Sequence, residues 1–232
     1  MIYAGTSGWA YPSWKPAFYP PKTPSKKFLE YYATRLNTVE VNYTFRRYLT
    51  EKLATSWLAA TPAHFRFTFK APQEITHVKR LRDAEEKTRA FLGSLQLFCE
   101  AGKFGVVLFQ LPPFLKADPE LLGGFLPLLP KATMRFAFEF RHASWFQERI
   151  YGMLREANVA LCIAESEKLE VPEVATADYV YYRMRKGEYT SAEREKIRKR
   201  VSAHPGDVYV YYKHEDDPAG TMYAEELLKS DC

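Results

Sequence analysis

The chain has 232 residues, of which 47% are hydrophobic and 16% aromatic, enough to bury a large core and too apolar for a disordered segment. A formal net charge of +5 and a pI near 8.9 permit an anionic substrate or partner, but an excess this modest points to solubility before a nucleic-acid footprint. Cys99, Cys162 and Cys232 are odd in number, far apart and without metal spacing; with no leader-like start and no apolar run near about 18 residues, the expectation is a cytoplasmic protein with reduced thiols, no signal peptide and no membrane span.

In chain order, strand-like runs recur at "MIYAGTS", "TVEVNYTF", "FRFTFKAP", "GVVLFQLPP", "RFAFEFRH", "VALCIAES", "DYVYYRMR" and "DVYVYYKH". Helical stripes fall between them, such as Phe28, Leu29, Tyr32 and Leu36, then Phe91, Leu95 and Phe98. Asp118 before Pro119 predicts a helix start after the fourth run, and Ser144 with Gln147 reads as a capping box after the fifth. The proline-broken "SEKLEVPEVATA" is the weakest of the helical connections. Eight alternating units predict a single (β/α)8 TIM barrel over residues 1–232, with an open doubly wound sheet as the alternative.

Side-chain parity favours the closed form. Glu40 with Asn42, Thr68 with Lys70, Val106 and Leu108 with Gln110, Ala137 with Glu139 and Arg141, and Tyr181 with Arg183 each share one strand face that turns polar at its C-terminal end. A barrel would bring these ends together at one mouth. "FAFEFRHASWF" shows the pattern most plainly, with Phe136, Phe138 and Phe140 on the opposite face.

The segments "GTSGWAYPSWKPAFYP", "LNTVEVNYTF", "FRFTFKAPQEITH", "GVVLFQLPP", "FAFEFRHASWF" and "ADYVYYRM" resemble, in order and over nearly the full chain, the domain-of-unknown-function-72 family, also called YecE-like. The resemblance implies a TIM barrel similar to sugar isomerases and to endonuclease IV, with no established reaction. One departure is "KHEDDPAGTMYAEE", where the family pattern has an asparagine-rich turn.

At the mouth we place Glu40, Glu139 and Lys70 as candidate catalytic groups, one carboxylate moving a proton if its pKa is tuned toward the working pH. Arg141, Arg183, Asn42, Gln110, Thr6, Ser7, Trp9, Tyr11 and His77 are candidate substrate contacts, with His142 nearby. Arg141 is the expected main anion contact, paired with a carboxylate in the free protein. A purely structural network, Glu139 with Arg141 or Arg183 and Glu40 with Lys70, is the alternative. Trp9, Tyr11, Trp14 and Trp145 could stack on a sugar or a base, or simply cap the barrel. The interleaved charges around Arg194, Arg198 and Lys199 read as a solvated helix face.

With no HxH, HxxxH or CxxC spacing and few inward ligands besides Glu40, Glu139, Glu165, His77 and His142, no dedicated metal site and no cofactor is expected. "GTSG" and the "GG" at 123–124 are not nucleotide loops. The favoured function is acid–base or hydrolytic chemistry, as a hydrolase, lyase or isomerase, on an anionic phosphorylated or sugar-containing small molecule. The alternatives are a metal-assisted, endonuclease-IV-like or other nucleic-acid-binding barrel using Trp9, Tyr11 and Arg141, and a non-catalytic ligand-binding barrel.

Overall fold

In the computed structural model, which describes residues 1–213 and 217–229, the eight predicted runs form eight parallel strands. They are β1 (Ile2–Thr6), β2 (Thr38–Val41), β3 (Arg66–Lys70), β4 (Phe104–Gln110), β5 (Arg135–Glu139), β6 (Ala160–Ala164), β7 (Tyr179–Met184) and β8 (Asp207–Tyr212). From β2 to β8 each strand pairs with the next in sequence, and β1 pairs with β8, so the sheet curls into a nearly closed barrel. Cys232 and His214 lie outside the described residues, as does part of the atypical segment after β8.

The seam between β1 and β2 is where closure is hardest. It carries a single ladder bridge, Ser7 to Glu40, beside a hydrogen bond from the Gly8 amide to the Glu40 carbonyl at 2.9 Å. Side chains stitch the rest. Asn37 accepts from the Ala4 amide at 3.0 Å and donates to the Ile2 carbonyl at 2.9 Å. The Tyr32 hydroxyl accepts from the Thr6 amide at 2.8 Å and donates to the Thr38 carbonyl at 3.0 Å. Backbone polar groups that would otherwise be orphaned in the interior are thereby satisfied.

Helices α1 (Phe28–Tyr32), α2 (Glu51–Ala59), α3 (Glu85–Gly93), α4 (Gln96–Glu100), α5 (Pro119–Phe125), α6 (Glu148–Glu156), α7 (Ser191–Ser202) and α8 (Ala219–Lys229) fill the connections. Asp118 caps α5, accepting from the Leu121 amide at 2.9 Å, with Pro119 in the first turn. The capping box expected at Ser144 and Gln147 does not form, because residues Ala143–Trp145 make a 3-10 turn and α6 starts only after Gln147. Ser144 Oγ instead accepts from the Ala117 amide at 2.8 Å. The β6–β7 connection contains no helix, as its prolines foreshadow. Among the described residues no helix is long and apolar enough to cross a membrane.

The core has two parts, set by strand parity. Outward residues such as Val39, Phe67, Phe69, Phe109, Phe136 and Phe138 are buried under the helices, and Phe140 stacks on Trp145 with ring centroids 4.5 Å apart. Inward residues are fewer and more polar: Tyr3, Tyr179, Tyr181, Tyr209 and Tyr211 fill the lumen with Val106, Leu108 and small residues. The hydroxyls of Tyr179, Tyr181, Tyr209 and Tyr211 are bonded. Tyr211 reaches Thr38 and Thr68 at 2.8 and 2.6 Å, and Tyr179 donates to the Phe136 carbonyl at 2.8 Å.

Closure also requires Gly5, where an added Cβ would lie 2.0 Å from the Thr38 carbonyl oxygen. Gly5→Ala should therefore cost at least the upper end of the ~1–3 kcal/mol typical of overpacking. Gly124→Ala in α5, where an added Cβ meets nothing, should be neutral or stabilising by up to ~1 kcal/mol. Urea unfolding midpoints compare the two; equal midpoints would discount the seam as a constraint.

Candidate active site at the barrel mouth

At the C-terminal end of the strands, Arg183 of β7 holds two carboxylates at once. Its Nη2 donates to Glu40 Oε1 of β2 at 2.7 Å and its Nη1 to Glu139 Oε2 of β5 at 2.6 Å. All three residues are buried. The remaining oxygens are also engaged. Glu40 accepts from Ser7 Oγ at 2.8 Å and the Tyr181 hydroxyl at 2.6 Å; Glu139 accepts from Gln110 Nε2 at 2.9 Å and Arg185 Nη2 at 2.9 Å. Residues from β1, β2, β4, β5 and β7 thus meet in one network.

The cations dominate its electrostatics. Burial alone would raise both carboxyl pKa values, but Arg183 and the hydrogen bonds win: Glu40 is lowered and Glu139 falls to about 2. Both stay ionised at neutral pH. The condition for either of them to carry a proton, a pKa tuned toward the working pH, is not met, because a guanidinium in direct contact favours the charged form more than burial opposes it.

Lys70, at the end of β3, is the titratable group that moves toward neutrality. Burial and the nearby Arg183 push it down to about 8, against the opposing pull of Glu40 and Glu139. Its ammonium lies 4.1 Å from the centre of the Phe45 ring and makes no hydrogen bond or ion pair to a described residue. The Glu40–Lys70 pair of the structural alternative does not form, since Arg183 already occupies Glu40. His77, on the π-helical turn Glu74–Val78, packs edge-on to Phe45 with centroids 5.1 Å apart. Burial, Lys70 and Arg141 lower its pKa.

Other predicted residues divide. Asn42 sits just past β2 with its Oδ1 buried and unpartnered among the described residues. Tyr11 reaches back from the first loop to donate to the Ser7 carbonyl at 2.9 Å. Thr6 is not at the mouth: its parity turns it outward, where it bonds Tyr32 and the Gly8 carbonyl. Trp9 also leaves the mouth, packing edge-on against Trp57 of α2 at 5.0 Å. Trp14 and Trp145 are fully buried and cap the core. On the solvated face of α7, Arg198 pairs with Glu195, while Arg194 crosses to Glu226 of α8.

Arg141 departs from expectation most clearly. It is exposed and forms no hydrogen bond or ion pair to a described residue, because β5 ends at Glu139 and that carboxylate is filled by Arg183, Arg185 and Gln110. Arg185 takes the second pairing instead. Sequence reading stopped one step short of it, although Arg185 has the parity of Tyr181 and Arg183. Arg141, Lys168, Arg185 and Lys186 line a cavity of about 700 Å³ above the β5–β7 side, with Glu165 and Glu167. Glu165 is engaged by the Arg185 amide at 2.7 Å and by the Tyr189 hydroxyl. Among the described residues no three His, Cys, Asp or Glu side chains converge as metal ligands. A divalent cation between Glu40 and Glu139 would have to displace Arg183 and face its charge, so this donor set does not fit a metal.

Glu139 contributes stability that is fully present above its ordinary value of 4.5 and is lost as pH falls through about 2. Arg183→Met should cost ~3–5 kcal/mol by stranding buried carboxylates. It should also invert the trend at Glu40, which would then bind a proton more tightly when folded and lose stability as pH rises above its ordinary range. Urea unfolding across acid pH checks both; a variant with the wild-type pH slope would count against the bridging role.

The family model for "Protein of unknown function DUF72" matches residues 3–230. The UPF0759 protein YunF of Bacillus subtilis is 32% identical over 164 residues, 65% of this chain and 54% of that relative, so the chain spans about half the length of the curated relatives it matches. A DUF72 family protein from Thermotoga maritima superposes with a TM-score of 0.85 at 26% identity, covering 99% of this chain and 98% of that one. An AP endonuclease, family 2, from Brucella melitensis has a TM-score of 0.58 at 10% identity over 92% of each chain, a likeness of fold alone. With the family model matched over nearly the whole chain and the fold shared with a solved member, the chain belongs to the DUF72 family.

Proposed function

We propose that the mouth is the active site of an enzyme that performs acid–base chemistry on a small anionic molecule, phosphorylated or sugar-containing. The observation that carries this reading is the cavity lined by Arg141, Lys168, Arg185 and Lys186, with Glu165 and Glu167, together with an amine, Lys70, that has no ion pair to a described residue. An exposed arginine and lysine with no partner among the described residues offer an anion the contacts that Glu139 does not use. Lys70 gives and takes the proton, since an amine titrating near pH 8 has both forms at hand. Glu40, Glu139 and Arg183 act as fixed charges that hold the mouth in shape. His77, held neutral at pH 7 by its lowered pKa, stands beside Phe45 as a second proton carrier.

The fold likeness to an AP endonuclease raises a nucleic-acid reading, but it loses the aromatic platform it needs, with Trp9 against Trp57 and Trp14 and Trp145 in the core. Cys162, buried in the lumen with its thiol pushed well up, is unreactive, which suits the cytoplasmic location we favour.

Inorganic phosphate should raise the melting temperature of the wild type, by about 2.7 kcal/mol of stabilisation at roughly 100 times its Kd. Arg141→Lys should weaken the shift because the planar fork is lost, and Arg141→Ala should nearly abolish it. Arg141 is unpaired among the described residues, so neither change should lower the ligand-free melting temperature by much. An undiminished phosphate shift in Arg141→Ala would remove the case for an anionic substrate at this cavity.

A further inference from the structure

We infer that Lys70 forms an imine with the carbonyl group of a small anionic aldehyde, ketone or 2-oxo acid held at the barrel mouth. This rests on the anion-binding reading above and names its substrate class.

Lysine becomes a carbonyl nucleophile where burial and neighbouring cations keep its amine neutral and no carboxylate claims it. Lys70 approaches these conditions: its pKa is pushed down to about 8, so a reactive fraction of free amine is present near neutral pH, and among the described residues no carboxylate pairs with it. From β2 and β5, Glu40 and Glu139 face it, but all four of their oxygens are engaged by Ser7, Tyr181, Gln110, Arg183 and Arg185. From β7, Arg183 and Arg185 oppose its charge, and so does burial; from its own loop, His77 adds no charge when neutral. Phe45 favours the ammonium, yet the net shift is still downward, to about 8.

Hydrogen bonding points the same way. An ammonium carries three donors, and among the described residues it donates to none. A protonated imine carries one. Asn42 lies one residue past the Val41–Phe69 register pair, as Lys70 does, and its buried Oδ1 lacks a donor. The unmatched donor and acceptor therefore stand at one level of neighbouring strands. Arg185 both lines the cavity that Arg141, Lys168 and Lys186 share and acts electrostatically on Lys70, which links the anion-binding side of the mouth to the amine.

The chemistry balances without any other reactant. The Nζ lone pair adds to the carbonyl carbon, and a proton moves from nitrogen to oxygen to give a carbinolamine. Loss of that hydroxyl with the remaining nitrogen proton releases water and leaves the C=N bond, with no change of oxidation state.

The test treats the full chain with pyridoxal 5′-phosphate or glyoxylate, reduces with borohydride and maps the modified residue by mass spectrometry. The expected result is an adduct at Lys70 with at least one probe, suppressed by inorganic phosphate and diminished about tenfold or more in Lys70→Arg, which keeps the charge but cannot form an imine. Lys70→Met, lacking both, should match Lys70→Arg in trapping. Adducts spread over surface lysines, or none at Lys70 with either probe, while phosphate still raises the melting temperature, would overturn the imine and leave the anion site standing. Loss of the phosphate shift in the wild type as well would overturn both.

Discussion

The contact on which the rest of this barrel depends is the guanidinium of Arg183 lodged between Glu40 and Glu139. Three buried charges from three strands would each be expensive to dehydrate alone. Together, and with every carboxylate oxygen engaged, they form a tie across the lumen from β7 to both β2 and β5. Glu40 also belongs to the weakest seam, because its carbonyl accepts from Gly8 and its carboxylate from Ser7. The network that sets the chemistry of the mouth therefore also helps to close the barrel.

This double duty explains why the mouth divides its charges into fixed and free. Fixed charges are those whose partners are saturated, and their pKa values lie far from neutrality on the side that preserves the charge. Lys70 and Arg141 are left over. The interior carboxylates have no capacity for them, so Lys70 drifts toward neutrality against Phe45 and Arg141 stands in solvent. The structural network thereby creates the charge imbalance at the mouth on which the proposed chemistry relies.

Below the mouth, tyrosines perform the same service for stability. Their rings fill a lumen that eight short strands would leave wide, and their hydroxyls satisfy lumen-facing threonines and backbone groups at the strand edges. An all-aliphatic lumen would remove the Tyr211 hydroxyl that bridges Thr38 and Thr68 across β2 and β3.

Much of this was legible in the residues. Alternation along "FAFEFRHASWF" separates the Phe136, Phe138 face from Glu139, and the same parity on β2, β3, β4 and β7 assigns Glu40, Lys70, Gln110 and Arg183 to the lumen. Parity is a backbone property of any strand, so it survives without knowledge of neighbours. It fails where the strand stops: Arg141 shares the parity of Glu139 yet emerges into solvent, since β5 ends two residues earlier. It was not applied to Thr6, whose outward face was readable, nor carried to Arg185. Pairing choice and pKa direction were decided only by the tertiary structure, because they depend on which of several cations from distant strands reaches a carboxylate first. Sequence by itself determined the barrel, its two faces and most of the charges at its mouth; three-dimensional packing alone decided that Arg183 takes both carboxylates and that Lys70 pairs with none among the described residues.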